Sequence, residues 1–489
     1  MEPLLLIALQ RQGKAMVNDV DAYFQHPASS FERWRTNLAL RFALRGCRLR
    51  PADAQGWRPV PTELVDGAQL LEPLAAGQAT EIDPSSSAVV STVRMGYGHH
   101  RIALGVCSYG AAFDRRALLL DLLASPRDEA KAIRRLDEVY SFMSRITAEL
   151  GGPFEAMWGR LMQSGGIGAL RMTFQMAARL TALLDGVPRD VPFVSAYPLN
   201  GHLAVRLGFR RVVNLIFDND PQHFLVVPGA LNLVQTTSSY EKLRRLGVPR
   251  EEVAYAGHWV SRELVDHVER DSAARIRRAE QRAPRRLLVT IVGAGAQRAF
   301  VLGYLRALAP LLREGQLRLL LNLGDHQHLH APFRQQLEQM GIDFREVAGF
   351  SELQRFCTNH PLDDVNDSVL SPITLFTFTR HLEAVRATDL LMRVADVLVT
   401  KPSELAFVPV PKLHIRRVGD HEAASARRAA ELGDGTLECR ELDEALRMTK
   451  LMLESDEILV PMNERIVQNA ARGVYDGSRR AMEIAVQGH

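Results

Sequence analysis

The chain has 489 residues, 46% hydrophobic and 24% charged, with a formal net charge of +3. That length suits two or three domains with sizeable cores, and the composition is that of an ordinary globular protein. The small charge gives no general case for nucleic-acid binding. The apolar run Pro3–Leu9 is too short to cross a bilayer, and no basic-then-apolar signal precedes it. Cys47, Cys107, Cys357 and Cys439 lie far apart, with no paired spacing for zinc or redox chemistry. A reduced, cytoplasmic protein is expected.

Residues 1–84 read as a mostly helical extension. Within them Arg33–Arg50 holds six arginines and no acid, with Trp34, Leu38 and Phe42 at helical spacing. Such a basic amphipathic helix can lie on the anionic inner face of a membrane. The ordinary alternative, and the expectation, is a helix docked on the body with its arginines solvated or ion-paired. Pro51–Glu81 is punctuated by Pro and Gly and reads as an irregular connection.

From Ala88 the texture changes to short apolar runs alternating with helical patterns, the mark of parallel α/β layering. AVVSTVRM runs into GYGHHRIALGV, a glycine turn opening a helix. Gly98 lets the backbone approach a ligand, and His99 and His100 stand at the helix mouth as candidate proton acceptors. Further strands are expected at 116–125, 191–197 and within RVVNLIFDND (211–220), where Asp218 and Asp220 sit just past the apolar run, and then at 231–235 and 252–256. The helical pattern Glu129–Leu150 carries a core stripe. Asp266–Pro284 is charged, ends at a proline and reads as a helical or extended linker.

A second α/β unit starts at Arg285, where a strand enters Gly293-Ala294-Gly295-Ala296-Gln297 and a helix begins. This loop has the geometry that receives a diphosphate, and it lacks the third glycine and distal acid of a dinucleotide site. Strands at 317–323 and 344–347 lead to Gly349-Phe350. Cys357–Leu390 reads as an interruption, its Asp363, Asp364 and Asp367 fitting a solvated loop better than a cation site. Val394–Glu422 then supplies a strand, the turn Lys401-Pro402, Ser403-Glu404 at a helix start, another strand and a loop with His421 and Glu422. Ser403 and Glu404 fit a helix cap and dipole partner as well as a ribose-binding pair. Ser455–Gln487 is helical.

Several motifs in this order resemble GT-B glycosyltransferases, nearest to monogalactosyldiacylglycerol synthase and more distantly to the peptidoglycan lipid II N-acetylglucosaminyltransferase. They are MGYGHHRIA, YPL at Tyr197–Leu199, LIFDNDPQHFLVVPGALNLVQTTSS, VAYAGHWVSREL, the Gly293–Gln297 loop, VAGF at Val347–Phe350, ADVLVTKP, SELA and GDHE. The resemblance implies two Rossmann-like doubly wound domains in the GT-B arrangement, divided as 85–270 for the acceptor and 284–450 for the nucleotide-sugar. A helical extension (1–84) and a helical tail (451–489) flank them. It also implies hexosyl transfer from a nucleotide-sugar, such as a UDP-sugar, to an acceptor hydroxyl of a lipid or small molecule. No cofactor or metal is implied, since the nucleotide-sugar is substrate. On that likeness Gly98, Gly293, Gly295, Gln297, Phe350, Ser403, Glu404, His421 and Glu422 hold the donor, while His99, Asp218 and His100 are the catalytic candidates. A nucleotide-sugar epimerase, a hydrolase of the same fold and a non-catalytic nucleotide-sugar binder are the alternatives.

Overall fold

The computed structural model describes residues 20–45, 56–74, 81–134, 166–291, 297–417 and 422–487. The chain divides into two units: Met1–Met95, His99–Trp259 and Asp476–His489 form the first, Gly96–Gly98 and Val260–Tyr475 the second. Both are Rossmann-like α/β layers.

In the first unit the strands are β1 (Trp57–Pro61), β2 (Ala68–Pro73), β3 (Ser87–Thr92), β4 (Arg116–Asp121), β5 (Phe193–Ser195), β6 (Val212–Leu215), β7 (Leu231–Val234) and β8 (Val253–Tyr255). Their order across the sheet is β1-β2-β4-β3-β5-β6-β7-β8. Only β1 and β2 pair antiparallel; the other pairs are parallel. Every residue of β3 is buried, as a strand covered on both faces requires. Helices α1 (Ser30–Ala43), α2 (Gly98–Cys107), α3 (Ile167–Ala177) and α4 (Pro198–Arg206) belong to this half of the chain. Asn200 donates from Nδ2 to Ser91 Oγ (2.8 Å) and Thr92 O (3.0 Å), locking α4 against the carboxyl end of β3.

The β1–β2 hairpin corrects the expectation of an irregular connection over 51–81. Pro59 and Pro61 suggest a loop, but β1 is the edge strand, where a missing N–H costs no ladder bond. The part of Arg33–Arg50 within the described residues is the docked helix expected of it. α1 is docked through Thr36, Leu40 and Leu44, and Arg171 on α3 pairs with Asp21 (2.5 Å) and Glu32 (3.3 Å) to hold the segment. Trp34 and Leu38 are 59% and 53% exposed. The Glu129–Leu150 pattern lies largely outside the described residues.

Helix α5 (Val268–Glu280) lies near the start of the long segment of the second unit. The strands of this unit are β9 (Arg285–Thr290), β10 (Leu317–Asn322), β11 (Phe344–Ala348), β12 (Ile373–Thr377), β13 (Val397–Thr400) and β14 (Lys412–His414). All pairs are parallel, in the order β11-β12-β10-β9-β13-β14. Helices α6 (Arg298–Arg313), α7 (Gln327–Met340), α8 (Phe350–Asn359), α9 (His381–Met392) and α10 (Glu422–Leu432) connect or follow them. The last helix, α11 (Gly477–Gln487), returns to the first unit, where Arg211 Nη1 donates to Val486 O at 2.8 Å.

The charged 266–284 segment is helical, one of the two forms expected, but it is packed into the unit rather than free, and the 357–390 segment supplies β12 and most of α9 to the α/β layers rather than interrupting them. Their charges pair with each other. Arg278 Nη2 meets Asp367 Oδ2 at 2.7 Å and Arg278 Nε meets Asp396 Oδ1 at 3.1 Å. Arg286 Nη2 meets Asp367 Oδ1 at 2.6 Å, and all four side chains are buried. Burial alone would raise the Asp367 carboxyl, but the two guanidiniums hold it below the usual range. Asp363 bridges Arg270 (2.9 Å) and Arg277 (2.6 Å). Of the aspartates expected to be solvated, Asp363 and Asp364 are exposed, while Asp367 is a buried arginine ligand.

Candidate functional site

In an open parallel sheet, ligands bind beyond the carboxyl ends of the strands, where the strand order reverses. In the first sheet the reversal falls between β3 and β5. His99, in the first turn of α2, is there: Nδ1 lies 3.1 Å from Ala196 O, just past β5. A carbonyl only accepts, so Nδ1 carries the proton and Nε2 presents a lone pair. Burial pulls the His99 pKa down to about 4, so the ring is neutral at pH 7. The rings of Tyr197 (5.1 Å) and Phe217 (4.5 Å) meet it edge-on. Asp218 follows Phe217 and is half-buried.

A carboxylate–histidine pair lies on the neighbouring histidine. His100 is 1% exposed and its Nε2 lies 3.2 Å from Asp121 Oδ2, at the end of β4. That position inside the core makes it a support for α2. Asp220 forms an ion pair with Lys242.

In the second sheet the reversal falls between β9 and β13. Val399 pairs with Val289, so the next residues, Thr400 and Thr290, stand side by side, and Thr400 pairs in turn with His414. The Oγ1 atoms of Thr290 and Thr400, the Nε2 of His414 and the Oγ of Ser403 are buried without a hydrogen-bond partner. An unsatisfied buried polar group costs about 1–3 kcal/mol, so several at one point of the fold call for an external partner. His414 Nδ1 donates to Thr436 O (2.7 Å), leaving Nε2 as an acceptor. Burial lowers its pKa to about 4.

Glu404 opens a short helical turn just past β13 and is half-buried. Gly98 is its neighbour: a Cβ placed on Gly98 would lie 3.3 Å from Glu404 Oε2. Glu422 is buried in an ion pair with Lys401. Gln297, at the start of α6, donates from Nε2 to Arg416 O. Gly293, Gly295 and His421 lie outside the described residues. Phe350 begins α8 after β11, four strand spacings from β13 with β12, β10 and β9 between them; that is about 19 Å at ordinary strand spacing. It does not join the Glu404 group.

Residue 97, the centre of the glycine turn, carries contacts that its motif did not reveal. Tyr97 OH accepts from Asp325 N (2.9 Å) and donates to the Asp325 carboxylate. Its ring stacks on His381 at 5.1 Å, and His381 Nδ1 lies 3.2 Å from Asp325 Oδ2. Gly324 has φ +62, and a Cβ there would fall 2.2 Å from the Tyr97 hydroxyl, so only glycine fits. Thr290 and Thr400 were also missed, although Leu-Val-Thr closes both strands, a repeat visible in the sequence. Among the described residues, no group of three or more His, Cys, Asp and Glu is placed to hold a metal ion.

Residues 62–245 match a family model described as Domain of unknown function (DUF6937). Residues 248–486 match another, Domain of unknown function (DUF6938). No curated protein matches the chain. Among solved structures, the UDP-GlcNAc 2-epimerase from Neisseria meningitidis bound to UDP-GlcNAc is similar at 11% identity and a TM-score of 0.45, covering 82% of this chain and 100% of that one. The α,α-trehalose 6-phosphate synthase from Burkholderia multivorans is similar at 14% identity and a TM-score of 0.42, covering 83% and 98%. The S. aureus MnaA–UDP complex is similar at 11% identity and a TM-score of 0.43, covering 81% and 94%.

Proposed function

We propose that this chain is a GT-B type glycosyltransferase that moves a hexosyl group from a UDP-sugar to an acceptor hydroxyl. The observation that supports it best is the cluster at the β9–β13 reversal. Partnerless buried hydroxyls of Thr290, Thr400 and Ser403 gather where the ordered motif resemblance puts a diphosphate. Glu404 follows directly, as a carboxylate that can accept from both hydroxyls of a ribose.

In this reading the second unit binds the donor. The hydroxyls and the backbone N–H groups of the Gly293–Gln297 loop meet the diphosphate, and Glu404 meets the ribose. Fixed dipoles of this kind stabilise the charge that develops on the leaving nucleoside diphosphate. The acceptor oxygen forms its bond to the anomeric carbon as the bond from that carbon to the diphosphate oxygen breaks. The acceptor proton passes to Nε2 of His99, whose tautomer the Ala196 carbonyl fixes. General-base help of this type is worth roughly 10²–10⁴-fold.

A panel of nucleotide-sugars screened by thermal shift, followed by product analysis on the best stabiliser, tests the reading. Release of nucleoside diphosphate that requires an added acceptor alcohol is the expected result. Conversion of the donor sugar to its epimer, or its hydrolysis, at the same rate without acceptor would overturn the transferase assignment in favour of an epimerase or hydrolase.

A further inference from the structure

The described residues with large, exposed hydrophobic side chains are Phe31, Trp34, Leu38, Tyr255, Val369, Leu437 and Leu451. Three of them crowd into α1. Phe31, Trp34 and Leu38 are 66%, 59% and 53% exposed, and the Phe31 and Trp34 rings stack at 5.9 Å. Spacings of three and four place them on one side of the helix. The opposite side is already used, since Thr36, Leu40 and Leu44 are buried. A contiguous apolar strip facing water is not what a helix docked for stability alone would present.

The charge around the strip selects its partner. Arg41 and Arg45 continue the same side at spacings of three and seven from Leu38, and both are exposed. The acid of this helix, Glu32, is turned to Ser29 and Arg171. Aromatic and leucine side chains bordered by arginines match an interface whose surface is anionic and whose interior is hydrocarbon. Among the described residues no helix is long and apolar enough to cross a membrane, so such contact would lie along the surface.

We propose that the Phe31–Trp34–Leu38 face of α1, with Arg41 and Arg45, seats this protein on an anionic phospholipid surface. The contact is independent of the transferase reading. It inserts the three apolar side chains at headgroup depth and leaves the guanidiniums among the phosphates.

The test is flotation of the full chain with vesicles of phosphatidylcholine alone and of phosphatidylcholine with phosphatidylglycerol. Binding to the anionic vesicles, weakened by salt, is expected. Phe31→Ser/Trp34→Ser/Leu38→Ser should reduce the partition coefficient by about tenfold or more, and Arg41→Gln/Arg45→Gln should abolish the preference for anionic vesicles. Because the triple variant changes exposed positions, its melting temperature should match the wild type. Should it not fold, brominated lipids should quench a larger share of wild-type emission than of Trp34→Phe emission. Failure of the wild type to float with anionic vesicles would overturn the proposal, as would full binding by the folded triple variant or equal quenching of the two proteins. A lipid-free dimer that the triple substitution dissolves would overturn it in favour of a second copy of the chain.

Discussion

The backbone of Gly98 and the carboxylate of Glu404 are close neighbours: a Cβ on the glycine would stand 3.3 Å from Oε2 and 3.4 Å from Cδ of the acid. These residues are far apart in sequence, one in a glycine turn and the other in a Ser-Glu turn. Gly98→Val would force the Glu404 side chain aside. The expected outcome is a loss of nucleotide-sugar affinity of about tenfold, with little change in melting temperature, because the displaced group is a half-buried side-chain end rather than core. Unchanged affinity in a folded Gly98→Val protein would show that the position of Glu404 is immaterial.

The buried Arg278–Asp367–Arg286 cluster ties the segment before β12 to α5 and β9. Asp367→Ala leaves two guanidiniums buried without their shared carboxylate. Breaking such a pair costs about 3–5 kcal/mol. Urea unfolding should show a loss of that order, and a loss below about 1 kcal/mol would mean that water or other carboxylates replace Asp367 readily.

Four histidines are held neutral by burial. Their ordinary pKa of 6.5 falls to about 3 for His202 and about 4 for His99, His326 and His414. Between pH 6.5 and 4 the unfolded chain therefore binds more protons than the folded one, so stability is intact above 6.5 and falls as the pH drops through that window. Melting curves across it should decline steadily. His202→Gln and His414→Gln should flatten the decline, whatever they cost at neutral pH. A melting temperature constant down to about pH 4.5 would contradict the linkage.

Most of this architecture is legible in the sequence because parallel strands buried on both faces are unbroken apolar runs: Ala88–Val90, Leu287–Val289 and Val397–Val399 announce themselves. What was hidden lay where a local rule met an exception. Two prolines disguised β1, permitted by its edge position. The five residues of β12 sit between Pro372 and a polar run, and so read as loop. The burial of Arg275, Arg278 and Arg286 could not be read from the sequence, because burial of a guanidinium depends on carboxylates and carbonyls distant in sequence. The site followed the same pattern. Glycines, His99 and Glu404 stand in recognisable motifs. The role of Tyr97 depends on Asp325 and His381, and that of Thr290 on Thr400, partners that only the folded sheet brings alongside.

The central claim is that the β9–β13 reversal with Glu404 is a nucleoside-diphosphate site. Calorimetric titration of UDP into the wild type, Glu404→Ala and Thr290→Val/Thr400→Val measures it directly. The wild type should bind UDP saturably, Glu404→Ala should bind about ten- to a hundredfold more weakly through loss of charge-assisted ribose contacts, and the threonine variant should be weakened while still folded. A wild type that releases no heat with UDP and gains no thermal stability from it, or a Glu404→Ala protein that binds UDP as tightly as the wild type, would contradict the assignment.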